Sequence, residues 1–210
     1  GRPSFGSWVL YGLGSESKNL PGYVVLTANR GSSGGTSNWT NGSLPSTYKG
    51  VVLRSQGEPV LNLSLPAGVN DELQAESLNA LRTLNTQQFQ RTGDPEINSR
   101  IAAYELAFRM QSAAPGALDL SEETQATLNM YGVDRPEPTD VRSNIGGGPD
   151  VFKTFARNCL YARRLIERGV RFVTLMHASW DQHGELDSAL AYNSRMADQP
   201  IAALLKDLKQ

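Results

Sequence analysis

Residues 150–177, DVFKTFARNCLYARRLIERGVRFVTLMH, narrow the choice of fold more than any other part of the chain. Val151, Phe152, Phe155, Cys159, Ala162 and Ile166 recur at helical spacing, which lays one apolar stripe along a helix that Asp150 is placed to cap. Arg157, Arg163, Arg164 and Arg168 fall off that stripe and read as the solvated face. Gly169 is the residue type that ends such a helix, and the β-branched and apolar run 170–177 follows at once as a strand. A polar loop and a further helix over 196–209 complete the rhythm helix, glycine turn, strand, loop, helix. That alternation is the signature of an α/β protein built on a parallel sheet.

The remaining segments fit this class. A short helix over 4–13 has Ser4 as N-cap and Gly14 as its stop, and GYVVLTA (22–28) reads as a buried strand. Residues 29–50 are rich in Gly, Ser, Thr and Asn and exceed the length of ordinary connections, which marks a functional or mobile loop. Two helices are expected over 70–91 and from Pro95 onward, the second with Asp94 as N-cap and Ile97, Ile101, Tyr104 and Phe108 as its apolar repeat. A shorter helix over 121–131 follows, so residues 70–135 form a helical insertion in one α/β domain. The Gly- and Pro-rich run 136–149 reads as an exposed connection; its GGG lacks the Lys-Ser/Thr of a phosphate loop.

Composition removes several function classes. Twenty basic and 21 acidic residues leave a net charge of −1, so no nucleic-acid-binding field is expected. No apolar run approaches the roughly 18 residues that span a bilayer. The single Cys159 excludes an intramolecular disulfide and, on an apolar stripe, reads as core. No G-x-S-x-G elbow accompanies a histidine, so a nucleophile triad is unsupported.

Both histidines of the chain lie in MHASWDQHGELD, residues 176–187, directly after the strand. Ligands of parallel sheets gather beyond the carboxyl ends of strands. Imidazole and carboxylate suit divalent metals, and alternate residues of an extended segment share a side, so Asp181 and His183 can converge on one ion. His177 joins them if the loop curls back; Glu185 and Asp187 are further oxygen donors. The competing reading has Asp181 capping a turn, His183 exposed and His177 bonded to backbone. Trp180 is either the wall of a cleft or a lid on the sheet.

Taken together, GRPSFGSWVLYGLGSESKNLPGYVVL, LPSTYKGV, TGDPEINSRIAAYELAFRMQ, FARNCLYARRLIERGVRFV, WDQHG and DQPIAALLKDLKQ resemble the bacterial family named domain of unknown function 1501, grouped with the alkaline phosphatase and sulfatase superfamily. The resemblance implies an alkaline-phosphatase-like α/β/α sandwich with a mostly parallel sheet, present in part. It further implies a divalent metal ion such as zinc, manganese or calcium, with Asp181 and His183 as ligands and His177 as a ligand or supporting residue. Trp180 and Arg2 are the corresponding candidates for contacting a small anionic ester. Superfamily members often separate the aspartate and histidine by three residues, where one intervenes here.

The same resemblance implies that this is an internal fragment of a longer, exported or periplasmic protein, inactive on its own, with further ligands outside it. Laying GRPS on the sulfatase pattern puts Gly1 where the nucleophile stands, and leaves Ser4 as a helix cap. No catalytic residue is therefore assigned. A metal-dependent phosphate- or sulfate-ester hydrolase is the expected function, and a binding or surface module that keeps the fold without the chemistry is the alternative.

Overall fold

The structure, a computed structural model, describes residues 1–28, 33–54, 59–60, 64–138 and 149–210. Three parallel strands, β1 (Tyr23–Ala28), β2 (Val51–Leu53) and β3 (Phe172–His177), form a sheet in the order β2-β1-β3. β1 is central: Val24 pairs with Val51 on one side and with Val173 on the other, and Ala28 lies opposite His177. Its near-continuous apolar sequence matches this position, since a strand covered on both faces needs no polar alternation. Val24 and Val25 are both fully buried.

The side chains of β1 and β3 separate into two layers. Tyr23, Val25, Phe172 and Met176 meet Leu10 of α1 (Phe5–Leu13) on one face, with Trp39 and Tyr48 beside them. Ser4 caps α1 as expected, accepting from the amide of Ser7. A Cβ on Gly6 would stand 2.5 Å from Cζ of Tyr23 and 2.6 Å from Cδ1 of Phe172, so α1 approaches the sheet this closely only because residue 6 has no side chain.

The described part of the Gly/Ser-rich loop packs on this same face as two short 3₁₀ turns, Gly35–Trp39 and Ser46–Tyr48. It is tied to α1 by the amide of Ser4 donating to Thr40 O at 2.9 Å and by Ser7 Oγ donating to the same carbonyl at 3.1 Å. The four residues that begin that loop, 29–32, and most of the expected connection 136–149, including its GGG, lie outside the described residues.

The opposite face carries α5 (Val151–Glu167), whose Phe155, Cys159 and Leu160 join Ala28 in one core cluster, while Ala162 and Leu165 join Val24 and Leu26 in another. Gly169, at φ +82°, turns the chain from α5 into β3. Asp150 does not cap this helix with its side chain. Instead Glu137 accepts the amide of Phe152 through Oε1 at 2.7 Å, and through Oε2 the hydroxyl of Tyr192 at 2.8 Å. A carboxylate distant in sequence thus does the work that position 150 would do locally.

The polar face of α5 is the main correction to the sequence reading. Arg164 is 5 % exposed, and its guanidinium donates to Ala117 O (3.1 Å), Gly116 O (2.7 Å) and Glu123 Oε1 (2.5 Å). Arg163 binds the same Glu123 and also Asp207, which in turn accepts the hydroxyl of Tyr131 at 2.8 Å. Of the four arginines expected to face solvent, Arg157 and Arg168 do, whereas Arg163 and Arg164 form a largely buried ionic joint, because the end of α3 (Pro95–Leu118) and the turn that leads into α4 (Gln125–Tyr131) bring carbonyls and the Glu123 carboxylate over them.

α6 (Leu186–Asp207) begins ten positions before the residue expected, Met196, and contains Pro200. Proline cannot donate to the carbonyl one turn back, so Met196 O loses its helical partner. Arg135 reaches over to supply one: its Nη2 donates to Met196 O (3.3 Å) and Arg195 O (2.8 Å), with its guanidinium carbon 4.4 Å above the ring of Phe152. α2 (Asp71–Thr92) and α3 make the expected helical pair, capped by Asn70 and Asp94. α2 buries no residue, and of the α3 repeat Ile97 is buried while Tyr104 stays exposed.

Candidate functional site beyond strand β3

The carboxyl end of β3 places His177 on the α5 side of the sheet, by the alternation that also sends Val173 and Leu175 there. Its ring stands edge-on between two others, 6.0 Å from Phe155 and 6.1 Å from Trp180. The side chain is therefore half-buried in an aromatic sandwich at the strand tip.

The loop that follows turns at Ser179, whose φ is +70°. A left-handed backbone at a residue with a side chain costs roughly 1–2 kcal/mol unless its surroundings hold it. Two side-chain amides do so here. Asn193, wholly buried on α6, donates through Nδ2 to Ser179 O, and Gln182 donates to the same carbonyl at 2.8 Å. Asn193 Oδ1 is buried without a hydrogen-bond partner among the described residues. At the far end of the loop Glu185, at φ +50°, starts α6, and its carbonyl accepts from Ala189 at 3.0 Å.

Between these anchors the loop presents Trp180, Asp181 and His183 outward. Asp181 Oδ2 and His183 Nε2 are 2.9 Å apart, with side chains 88 % and 87 % exposed. The two side chains meet each other while Gln182 turns back to the backbone. The two side chains are thus hydrogen-bonded to each other, and to share one ion they would give up the intervening proton and turn both lone pairs toward it. The donor set present is two: among the described residues no three of His, Cys, Asp and Glu gather into a metal-holding group.

The other candidates stand apart. His177 is engaged by aromatic rings rather than by the Asp181–His183 pair. Trp180 is 46 % exposed and packs edge-to-face on His177 at the tip of β3. Arg2 is exposed, and its backbone runs close to Gly42, next to the cap of α1. Asp187 lies in the first turn of α6, where its charge favours the helix start.

Sequence reasoning missed Asn193 and Gln182. Asn193 lies in the polar stretch before Met196 that was read as loop; only the helix running through it makes it a buried residue facing Ser179. Cys159, by contrast, is core as expected. It is fully buried, and burial pushes its thiol up to about 12, far from any nucleophilic role at neutral pH.

No helix among the described residues is long and apolar enough to cross a membrane. No curated protein and no solved structure matches the chain. Residues 1–210 match, over their whole length, the family described as protein of unknown function (DUF1501), and the chain belongs to that family.

Proposed function

We propose that the chain carries part of the site of a metal-dependent hydrolase of phosphate or sulfate esters on an alkaline-phosphatase-like α/β/α scaffold, in an exported or periplasmic protein. The observation that carries the reading is the convergence of Asp181 and His183 beyond the carboxyl end of a parallel strand. These two residues would hold a divalent ion of the zinc, manganese or calcium type. Such an ion would supply positive charge to stabilise an ester oxygen. Asn193 and Gln182 fix the loop so that the two donors do not have to be ordered on binding. Trp180 offers a flat apolar surface beside them; Arg2, just before α1, would have to reach the ester from outside the loop to meet its remaining charge.

The test is the metal content of the protein purified from metal-supplemented medium, compared with Asp181→Ala and His183→Ala. Each variant is expected to lose bound metal, and unchanged content in both sinks the assignment.

A second reading is a binding module without turnover. It is favoured by the exposure of both donors and by the lack of a third ligand among the described residues. Hydrolysis of 4-nitrophenyl phosphate or 4-nitrophenyl sulfate that disappears in the same two variants excludes it.

A further inference from the structure

A concave surface lies at the opposite, amino end of the sheet. It is a cleft of about 570 Å³ between the 14–22 connection, the Ser46–Tyr48 turn and the outward side of α3. Leu10, Leu20 and Leu106 give it apolar walls, and Ser17, Thr47 and Tyr48 add hydroxyls. The volume is within the usual range for small-molecule sites, roughly 300–1,000 Å³.

Among the described residues the charge of the cleft has one sign: Lys18 and Arg109 line it, and no carboxylate does. Arg109 is fixed by its Nε, which donates to Lys18 O at 2.7 Å, so the guanidinium is held against the cleft with its Nη groups left to other partners. The nearest acid, Glu105, is a weak claimant: its Oε2 stays 3.8 Å from Arg109 Nη1, while Oε1 is taken by Arg82 at 2.5 Å. A cation oriented by backbone and only distantly paired, above leucine walls, matches a ligand with one anionic head and a short apolar body.

We propose that this cleft binds small amphipathic anions, either carboxylates or phosphate monoesters carrying a short apolar chain. The site is independent of the Asp181–His183 pair and of any metal there.

Amide shifts of the ¹⁵N-labelled protein test the proposal, with hexanoate, hexyl phosphate, hexylamine and acetate as the probes. Hexanoate, hexyl phosphate or both are expected to give saturable shifts at Lys18–Leu20, Thr47, Tyr48 and Leu106–Arg109, and the arm that saturates first tells the two head groups apart. Hexylamine lacks the charge and acetate the chain, so each is expected to bind at least about tenfold more weakly. Lys18→Gln and Arg109→Gln are each expected to weaken the better anion several-fold. Because Arg109→Gln also removes a bond to the backbone, Ala102→Phe provides a separate check: it fills the cleft from an exposed helical position, and should abolish binding with the melting temperature unchanged. Absence of saturable shifts with both anions overturns the proposal. So does equal binding of hexylamine, or anion binding that survives Ala102→Phe.

Discussion

Arg164→Met is the substitution whose outcome the structure defines most closely. Methionine keeps most of the length and apolar stem of arginine, so the loss is chiefly polar. Three hydrogen bonds go, those to Ala117 O, Gly116 O and Glu123 Oε1, together with a 3.7 Å ion pair to the exposed Glu122 that is worth little. They are not equally costly. Gly116 O retains Arg168 Nη2 at 3.2 Å, and Glu123 retains Arg163, whereas Ala117 O is left without its side-chain donor. One orphaned buried carbonyl costs about 1–3 kcal/mol. A buried carboxylate that loses one of two guanidinium partners adds a comparable amount, since the side chains of Arg164 and Glu123 are only 6 % and 8 % exposed. The total expected from urea unfolding at neutral pH, followed by far-ultraviolet circular dichroism, is about 3–5 kcal/mol. Adding Glu123→Leu should restore part of it, with a coupling of about 1–3 kcal/mol, because the second change removes the uncompensated charge. A single-variant loss below about 1 kcal/mol would refute the reasoning, since it would mean that water reaches the joint and replaces the arginine.

The same joint sets an acid limit. Burial raises the Glu123 carboxyl, but hydrogen bonds from Arg164 and Arg163 outweigh it and hold the group below its ordinary value. The native state therefore binds fewer protons than the unfolded state; stability from this group is complete above the unfolded value, near 4.5, and declines as pH falls through it toward the folded one. Urea midpoints measured down the pH scale should fall in that window, and the fall should shrink in Glu123→Gln. Cys159, buried with its thiol pushed up to about 12, should react with a disulfide reagent at pH 8 only through opening of the core, so its modification rate should track unfolding when urea is added. Arg135→Met should cost about 2 kcal/mol in the native chain and less in Pro200→Ala, where alanine returns a helical donor to Met196 O; equal costs in both backgrounds would disprove the pairing.

What could be read from the sequence was what depends on near neighbours. The α5 stripe, the Gly169 turn, β1, and the Ser4 and Asp94 caps are set by spacing and by residues next to one another. β2 was illegible because it is three residues long, so its VVL is too short to show a period or to count as a strand-length run, and Val51 and Val52 are exposed. The start of α6 was missed because Glu185 enters it from a left-handed conformation without a side-chain cap. The burial of Arg163 and Arg164 was missed for a different reason: a helix's own pattern shows which face is polar, but not whether another segment will bring a carboxylate over it. At the site, the Asp181–His183 pair followed from period-two spacing, whereas the grip of Asn193 on Ser179 joins residues 14 apart and needed the fold.

That grip bears on how the loop after β3 works. Every positive-φ residue among those described is glycine except Asp150, Ser179 and Glu185. All three stand at the carboxyl end of the sheet, one where α5 begins and two at the ends of the loop bearing Asp181 and His183. Elsewhere the chain places glycine in such turns: at Gly93, where nothing stands near a Cβ, and at Gly132 and Gly169, where Gln199 and the Ser17 backbone also leave no room for one. At Asp150, Ser179 and Glu185 it tolerates strain with side chains present, and at Ser179 it offsets that strain with two amide donors to one carbonyl. A hinge would need the opposite, a permissive residue with few bonds. The loop backbone is thus held at both ends, with Asp181 and His183 hydrogen-bonded to each other on its exposed side. An ion bound there would have no loop to fold, so its affinity would depend on how many further donors it finds rather than on the cost of ordering Asp181 and His183.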